Sequence, residues 1–317
     1  MRRLEKDTSM VFVRALFVLI FAILPVAVWA QPLATSFRSG GIELPAFLQR
    51  ADDVEPRAVV INLHGNPGGK IRPESPLATT LAKQGVATFW FNYRGIWGNQ
   101  GTYSVFNGIS DARAAIDFLK SAEAKQRFGL GDLPIVLFGY SMGSAIALLG
   151  AAGNDSVAGV VALAPCDHGI FGRELGDPQS RVKQFLDEII EELFGPKGPV
   201  PGGGPAFTGD LIANHQSYGF PHNVPALQKA ALLFFPALDD KICPIEDHFL
   251  PLYRTLRNAK HPRLEAFGLN AGHALDSASG STMRQMTADW IVRTFPSAPS
   301  KAAARETSMA PFGPSRR

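Results

Sequence analysis

Gly139-Tyr-Ser-Met-Gly143 follows directly on the apolar run Leu133-Pro-Ile-Val-Leu-Phe138 and leads into Ser144-Ala-Ile-Ala-Leu-Leu149. A β-branched run, a Gly-x-Ser-x-Gly turn and a helix-forming run predict a strand, a sharp turn and a helix. Glycines two positions either side of Ser141 suit a turn too tight for Cβ atoms, and such a turn lifts the serine hydroxyl above the sheet. The first N–H groups of the following helix then face any negative charge that forms there. A plain glycine-flanked turn is the bland alternative. The flanking strand and helix favour a nucleophile at Ser141.

A serine nucleophile needs oxyanion donors, an acid and a base, and candidates occur in a consistent order. Ala58-Val-Val-Ile-Asn-Leu63 has a buried-strand pattern and runs into His64-Gly65-Asn66-Pro67-Gly68-Gly69. Pro67 has no N–H, so the backbone N–H groups of Asn66 and Met142 are the expected oxyanion hole, with His64, Gly65, Gly139 and Gly143 as supporting residues. Ala230 to Leu238 reads as another buried strand, followed by Asp239-Asp240-Lys-Ile-Cys-Pro244. A carboxylate at a strand end can hold an imidazole in one tautomer and stabilise its protonated form. Arg263 to Gly268 reads as a last strand, and His273 falls on the loop beyond it.

The order HG-x-P-G, G-x-S-x-G, Asp-x-x-x-Pro and a late Gly-His resembles the α/β-hydrolase superfamily over most of residues 35–295. Asn92-Tyr-Arg-Gly-Ile-Trp-Gly-Asn-Gln-Gly101 and the Asp111-containing helix resemble its serine-aminopeptidase/monoacylglycerol-lipase-like branch. HGNPGG is similar to the HGGPG loop of prolyl aminopeptidases, with Asn66 departing from it. The Asp-x-x-x-Pro pattern implies Asp240 as the acid, since Pro244 lies four positions on. Asp239 is adjacent, and Asp167 follows the preceding strand, where some lipases of the superfamily carry their acid. The implied fold is a mostly parallel central sheet flanked by helices, and strands alternating with helical patterns agree with it.

Residues 1–14 hold Arg2, Arg3, Lys6 and Arg14, and an uncharged run from Ala15 to Trp29 follows. With Val28-Trp-Ala30 before Gln31, this reads as a signal peptide over residues 1–30, cleaved for export to the periplasm or medium. A membrane anchor formed by residues 10–30 is the alternative; spanning takes ~20 apolar residues, and this run is shorter and contains Pro25. Membrane contact is expected only if the segment stays uncleaved. Cys166 and Cys243 are the chain's two cysteines; both fall just past predicted strand ends, and the sequence leaves open whether they pair.

At a net charge of +3 and 46% hydrophobic residues, the composition fits a globular catalytic domain, not disorder or nucleic-acid binding. There is no P-loop, GxGxxG or HExxH, so neither cofactor nor metal is expected. Thr35 to Ala51 reads as a strand pair turning at Gly40-Gly41, Asn107 to Phe128 as one helical pattern, and Thr282 to Phe295 as a closing helix. The catalytic domain is expected over residues 31–295, and the Ser-, Ala-, Pro- and Arg-rich residues 296–317 as a disordered tail.

Residues 167–226 form a long connection between two predicted strands, which is usually functional; in the superfamily an insertion here forms a lid. Ser180 to Phe194 reads as an amphipathic helix, and Gly195 to Pro205 as a hinged or irregular run. Glu188, Glu191 and Glu192 read as a solvated face. The resemblance implies a serine hydrolase acting on a small-molecule ester or peptide substrate. A carboxylic-ester hydrolase is the first reading. A serine aminopeptidase, with Asp187 or Glu191 holding the substrate amine, is the second, and an idle protein binding an apolar ligand the third.

Overall fold

The computed structural model describes residues 31–51, 56–130 and 132–296. The leader and its cleavage site, and the tail past residue 296, lie outside the described residues. In chain order the elements are β1 (Leu33–Ser39), β2 (Ile42–Gln49), β3 (Ala58–Leu63), α1 (Pro76–Ala82) and β4 (Val86–Phe91). Then come α2 (Val105–Lys120), α3 (Ala122–Phe128), β5 (Ile135–Tyr140), α4 (Met142–Ala151) and β6 (Val157–Leu163). After these follow α5 (His168–Gly176), α6 (Lys183–Phe194), α7 (Gly204–Tyr218), α8 (Phe220–Asn223) and β7 (Ala231–Phe235). The last are α9 (Ile245–His248), α10 (Leu250–Asn258), β8 (Leu264–Ala266) and α11 (Ser277–Thr294).

The strands lie in the order β1-β2-β4-β3-β5-β6-β7-β8. β2 pairs antiparallel with β1 and β4, and every later pairing is parallel. Parallel strands buried on both faces need near-continuous apolar runs. In β5, Ile135 and Leu137 pack with Ile116 of α2 and Ile146 of α4. Val136 and Phe138 face the other way, toward Leu81 of α1 and Ile291 of α11. The register sets Leu63 beside Gly139, Tyr140 beside Leu163, and Leu163 beside Phe235. The loops after β3, β5, β6 and β7 therefore open at one sheet edge, where open α/β sheets gather their chemistry.

Several boundaries differ from the sequence reading. The helical pattern over 107–128 is two helices divided at Ser121, whose Oγ donates to Phe118 O at 2.7 Å and accepts from Ala124 N–H at 3.1 Å. One serine thus ends α2 and caps α3. β4, wholly buried between β2 and β3, adds a strand to the expected set, and its Val-Ala-Thr-Phe-Trp-Phe is an apolar run of the same kind as β3. The helix expected from Ser180 begins at Lys183, because Ser180 Oγ turns aside to donate to Glu174 at 2.7 Å. The stretch after the Gly/Pro run is helical: α7 starts at Gly204 with Pro205 in its first turn, where a missing N–H costs nothing. His215 and His222 sit on α7 and α8. Gly172 lets α5 and α7 touch, since a Cβ there would lie 2.1 Å from Leu211 O.

Candidate active site

Backbone sterics fix the turn between β5 and α4. A Cβ at Gly139 would stand 2.1 Å from Gly143 O, and one at Gly143 would stand 2.1 Å from Leu63 O. Both positions therefore require glycine. Between them Ser141 takes φ 55° and ψ −121°, a conformation that non-glycine residues hold only when their surroundings enforce it. Its N–H donates to Leu163 O at 3.0 Å, and Ser144 Oγ donates to its carbonyl at 2.5 Å.

Ser141 Oγ lies 2.8 Å from His273 Nε2, and His273 Nδ1 lies 2.7 Å from Asp240 Oδ2. His273 comes from the loop between β8 and α11, and Asp240 from the turn after β7. The second Asp240 oxygen accepts from the N–H groups of Ile242 at 2.9 Å and Cys243 at 2.8 Å. Tyr140 Oη donates to the His273 carbonyl at 2.9 Å, joining the serine turn to the histidine loop. Sequence reasoning missed that bridge, and nothing in the sequence points a tyrosine at a carbonyl 133 residues away.

The rival acids stand elsewhere. Asp239 is solvent-exposed. Asp167 caps α5 by accepting from Gly169 N–H at 2.8 Å, and it accepts from Phe220 N–H at 3.0 Å, tying α5 to α8. Burial, opposed by these backbone bonds, pushes its carboxyl pKa up. The Asp167 N–H donates to His248 Nδ1 at 3.0 Å. His168 Nδ1–H donates to Cys166 O at 2.9 Å. Burial pushes His168 down to about 4. It does the same to His248, where the neighbouring His168 adds to the effect.

Asn66 and Met142 border the same cavity as Ser141 and His273. Tyr103 Oη lies 2.9 Å from Asn66 Oδ1 and 3.3 Å from Met142 Sδ, so one buried hydroxyl touches both residues. The Asn92–Gly101 stretch holds the glycine loop: Asn92 accepts from Ile71 N–H at 2.6 Å and donates to Gly69 O at 3.0 Å, and Trp97 donates to Gly68 O at 3.2 Å. Arg94 anchors that stretch through a buried pair with Asp111 at 2.5 Å. His64 packs against Tyr93 at 4.3 Å between ring centres. Burial pushes its ring down to about 4, keeping it neutral.

The cavity measures about 300 Å³, the lower end of the range for small-molecule sites. Leu186, Ile189, Ile190 and Leu193 of α6, with Phe207 and Leu211 of α7, make its apolar wall. Glu188, Glu191 and Glu192 are all exposed, as the solvated-face reading expects, and Glu192 also borders the cavity. The three-residue offset from Ile189 turns Glu192 to the cavity side of α6. Asp187 and Glu191, named for the amine-binding role, do not line the cavity.

Cys166 and Cys243 are joined in a disulfide with Cα atoms 5.3 Å apart. A bridge spanning 77 residues removes about 4.5 kcal/mol of unfolded-chain entropy in the loop-closure model. Cys166 Sγ stands 3.8 Å from Ser141 Oγ.

Residues 54–194 match the family model for serine aminopeptidase, S33. The chain is 24% identical over 223 residues to the uncharacterized protein YfhR of Salmonella typhi, covering 70% of this chain and 66% of the relative. YfhR of Escherichia coli (strain K12) is 32% identical over 88 residues, 28% of this chain and 29% of the relative. A puromycin-hydrolyzing peptidase of Mycobacterium tuberculosis superposes with a TM-score of 0.61 at 17% identity, over 88% of this chain and 41% of the peptidase. The esterase domain of a Rhodothermus marinus protein gives 0.57 at 22% identity, over 83% of this chain and 99% of the domain. The chain thus spans less than half of the peptidase but nearly all of the esterase domain. Its mostly parallel sheet and flanking helices give the chain the α/β-hydrolase fold, and the segment around Ser141 lies within the residues that match the serine aminopeptidase model.

Proposed function

We propose that the protein is a serine hydrolase that cleaves carboxylic esters through Ser141, His273 and Asp240. The observation that carries this reading is the continuous relay from Asp240 Oδ2 through His273 to Ser141 Oγ, opening into an apolar cavity. Ser141 Oγ attacks the ester carbonyl as its proton passes to His273 Nε2. Asp240 holds Nδ1–H and stabilises the imidazolium, and the Asn66 and Met142 N–H groups receive the oxyanion. His273 returns the proton to the leaving alcohol, and water then releases the acyl-enzyme. The α6–α7 insertion acts as the lid, its apolar face contacting the acyl chain.

Glu192 supports a second reading as an aminopeptidase, its carboxylate at the cavity mouth holding a substrate ammonium. A panel of p-nitrophenyl esters and aminoacyl β-naphthylamides, with Ser141→Ala as control, separates the two. The ester reading expects Ser141-dependent turnover of esters that Glu192→Gln leaves within about twofold. Amide turnover that collapses in Glu192→Gln would favour the peptidase. Export is proposed as well, supported by the leader and by the disulfide, since such bonds persist in oxidising compartments. N-terminal sequencing of protein from its native source is expected to begin at Gln31; an intact Met1 in the membrane pellet would mean an anchored enzyme.

A further inference from the structure

The disulfide is part of a closed circuit. Cys166 N–H donates to Ser144 Oγ at 3.2 Å, and Ser144 Oγ donates to the Ser141 carbonyl. From Cys166 the path crosses the sulfur bridge to Cys243, whose N–H donates to Asp240 Oδ1 at 2.8 Å. Asp240 Oδ2 then meets His273, and His273 returns to Ser141 Oγ. The circuit leaves Ser141 by its backbone and comes back by its hydroxyl, with one covalent bridge between the loops after β6 and β7.

The acid turn needs such a tie. Leu238, Asp239, Lys241 and Ile242 are exposed, while the carboxylate between them is buried. Backbone bonds from Leu238 N–H to Leu269 O at 2.8 Å and from Asp239 N–H to Ala271 O at 3.0 Å hold the turn toward the histidine loop. Toward the nucleophile side the tie is the sulfur bridge, carried by the same residue whose N–H donates to the carboxylate.

We propose that the Cys166–Cys243 disulfide is a positioning group: it holds the acid turn so that Asp240 meets His273, and turnover depends on its oxidation. The proposal rests on the triad reading above. A dithiol reductant supplies two electrons and two protons; the S–S bond breaks, two S–H groups form, and the dithiol closes to its own disulfide. Cys166 lines the substrate cavity, so a small dithiol approaches through that cavity.

The test uses the oxidised full chain and the same protein reduced by dithiothreitol, with EDTA present. The chelator matters because the two sulfurs and a His273 nitrogen lie within 4.8 Å of one another, and freed thiols beside an imidazole invite zinc. Turnover of p-nitrophenyl butyrate is divided by the fraction of protein labelled to completion with a fluorophosphonate, so unfolded molecules are not counted. Oxidised protein that neither turns over nor labels refutes the triad reading itself. Given an active oxidised enzyme, reduction is expected to lower kcat per labelled site at least tenfold, to leave KM within twofold, and to be reversed by reoxidation. In Asp240→Asn the same reduction should change kcat less than twofold, because groups acting as a unit do not lose rate additively. Cys166→Ala/Cys243→Ala should show the reduced enzyme's kcat and ignore dithiothreitol. An unchanged kcat per labelled site overturns the proposal. So does a loss that adds fully to that of Asp240→Asn, or labelling and near-UV dichroism that vanish together, which would make the bond a staple of the fold.

Discussion

The turn that carries Ser141 and the turn that carries Asp240 lie at one sheet edge, yet they are built on opposite principles. Around Ser141 the backbone does the positioning: glycines at 139 and 143 sit against carbonyls at 2.1 Å from a would-be Cβ, and the φ of 55° follows from that packing. Around Asp240 the flanking residues are exposed, and side-chain bonds and a sulfur bridge aim the carboxylate. A turn fixed by backbone sterics tolerates almost no substitution at its glycines. A turn fixed by a few directed bonds can be altered piece by piece, so its contribution to rate is separable from its contribution to folding.

The harshest break in that comparison removes the serine oxygen. Ser141→Ala is expected to fold like the parent and to lose roughly 10⁴- to 10⁶-fold in kcat, with His273→Ala close behind and the double variant no worse than either. Single-turnover kinetics with thermal unfolding as the control measures it, and retained fluorophosphonate labelling of Ser141→Ala would refute the assignment.

On the acid side, Asp240→Asn should cost about 10³- to 10⁴-fold in kcat, because an amide favours the wrong imidazole tautomer. Asp239→Asn is expected to change kcat less than twofold. Asp167→Asn should lower stability by about 1–3 kcal/mol in urea unfolding, since an amide cannot accept both backbone bonds to α5 and α8. A crippled kcat in folded Asp167→Asn would move the acid to the loop after β6.

The last expected effect is in pH and falls on stability. His64, His168 and His248 each have a folded-state pKa pushed down to about 4. The unfolded chain therefore takes up protons first as pH falls from 6.5. Their contribution is complete above that value and is lost toward pH 4, at up to about 3 kcal/mol per ring. Asp210 beside His168, and Asp240 beside His248, temper the shifts. Asp167, its pKa raised by burial, works in the opposite sense. The urea midpoint should fall between pH 6.5 and 5, and His248→Asn, which keeps an acceptor for Asp167 N–H, should flatten the slope. An equal slope in that variant would exclude the ring.

The two turns also differ in how far the sequence exposed them. Gly139 and Gly143 encode a local steric necessity, so the strand, turn and helix around Ser141 were legible from a dozen residues. The resemblance pointed to Asp240, and the structure sets it beside His273. No residue near Asp240 announces that Cys243 N–H will aim its carboxylate or that Cys166 will be its partner; those contacts depend on neighbouring strands. The insertion was the least legible, because glycines and prolines at 195–205 suggested irregular chain while Pro205 opens α7. Glu192 faced the cavity only once the rotation of α6 was known.

Tyr103 has one hydroxyl proton between Asn66 Oδ1 and Met142 Sδ, and its ring stacks on Phe207 of α7, 11° from parallel. A flat ring with a fixed hydroxyl ties α7 to the side chains of both residues proposed to hold the oxyanion, so on the ester reading an acyl chain that moves α7 is expected to move them too. On that reading linkage is two-way: what sharpens the grip on the oxyanion also tightens α7 on the acyl chain. Chain-length preference is then expected in kcat as well as in KM.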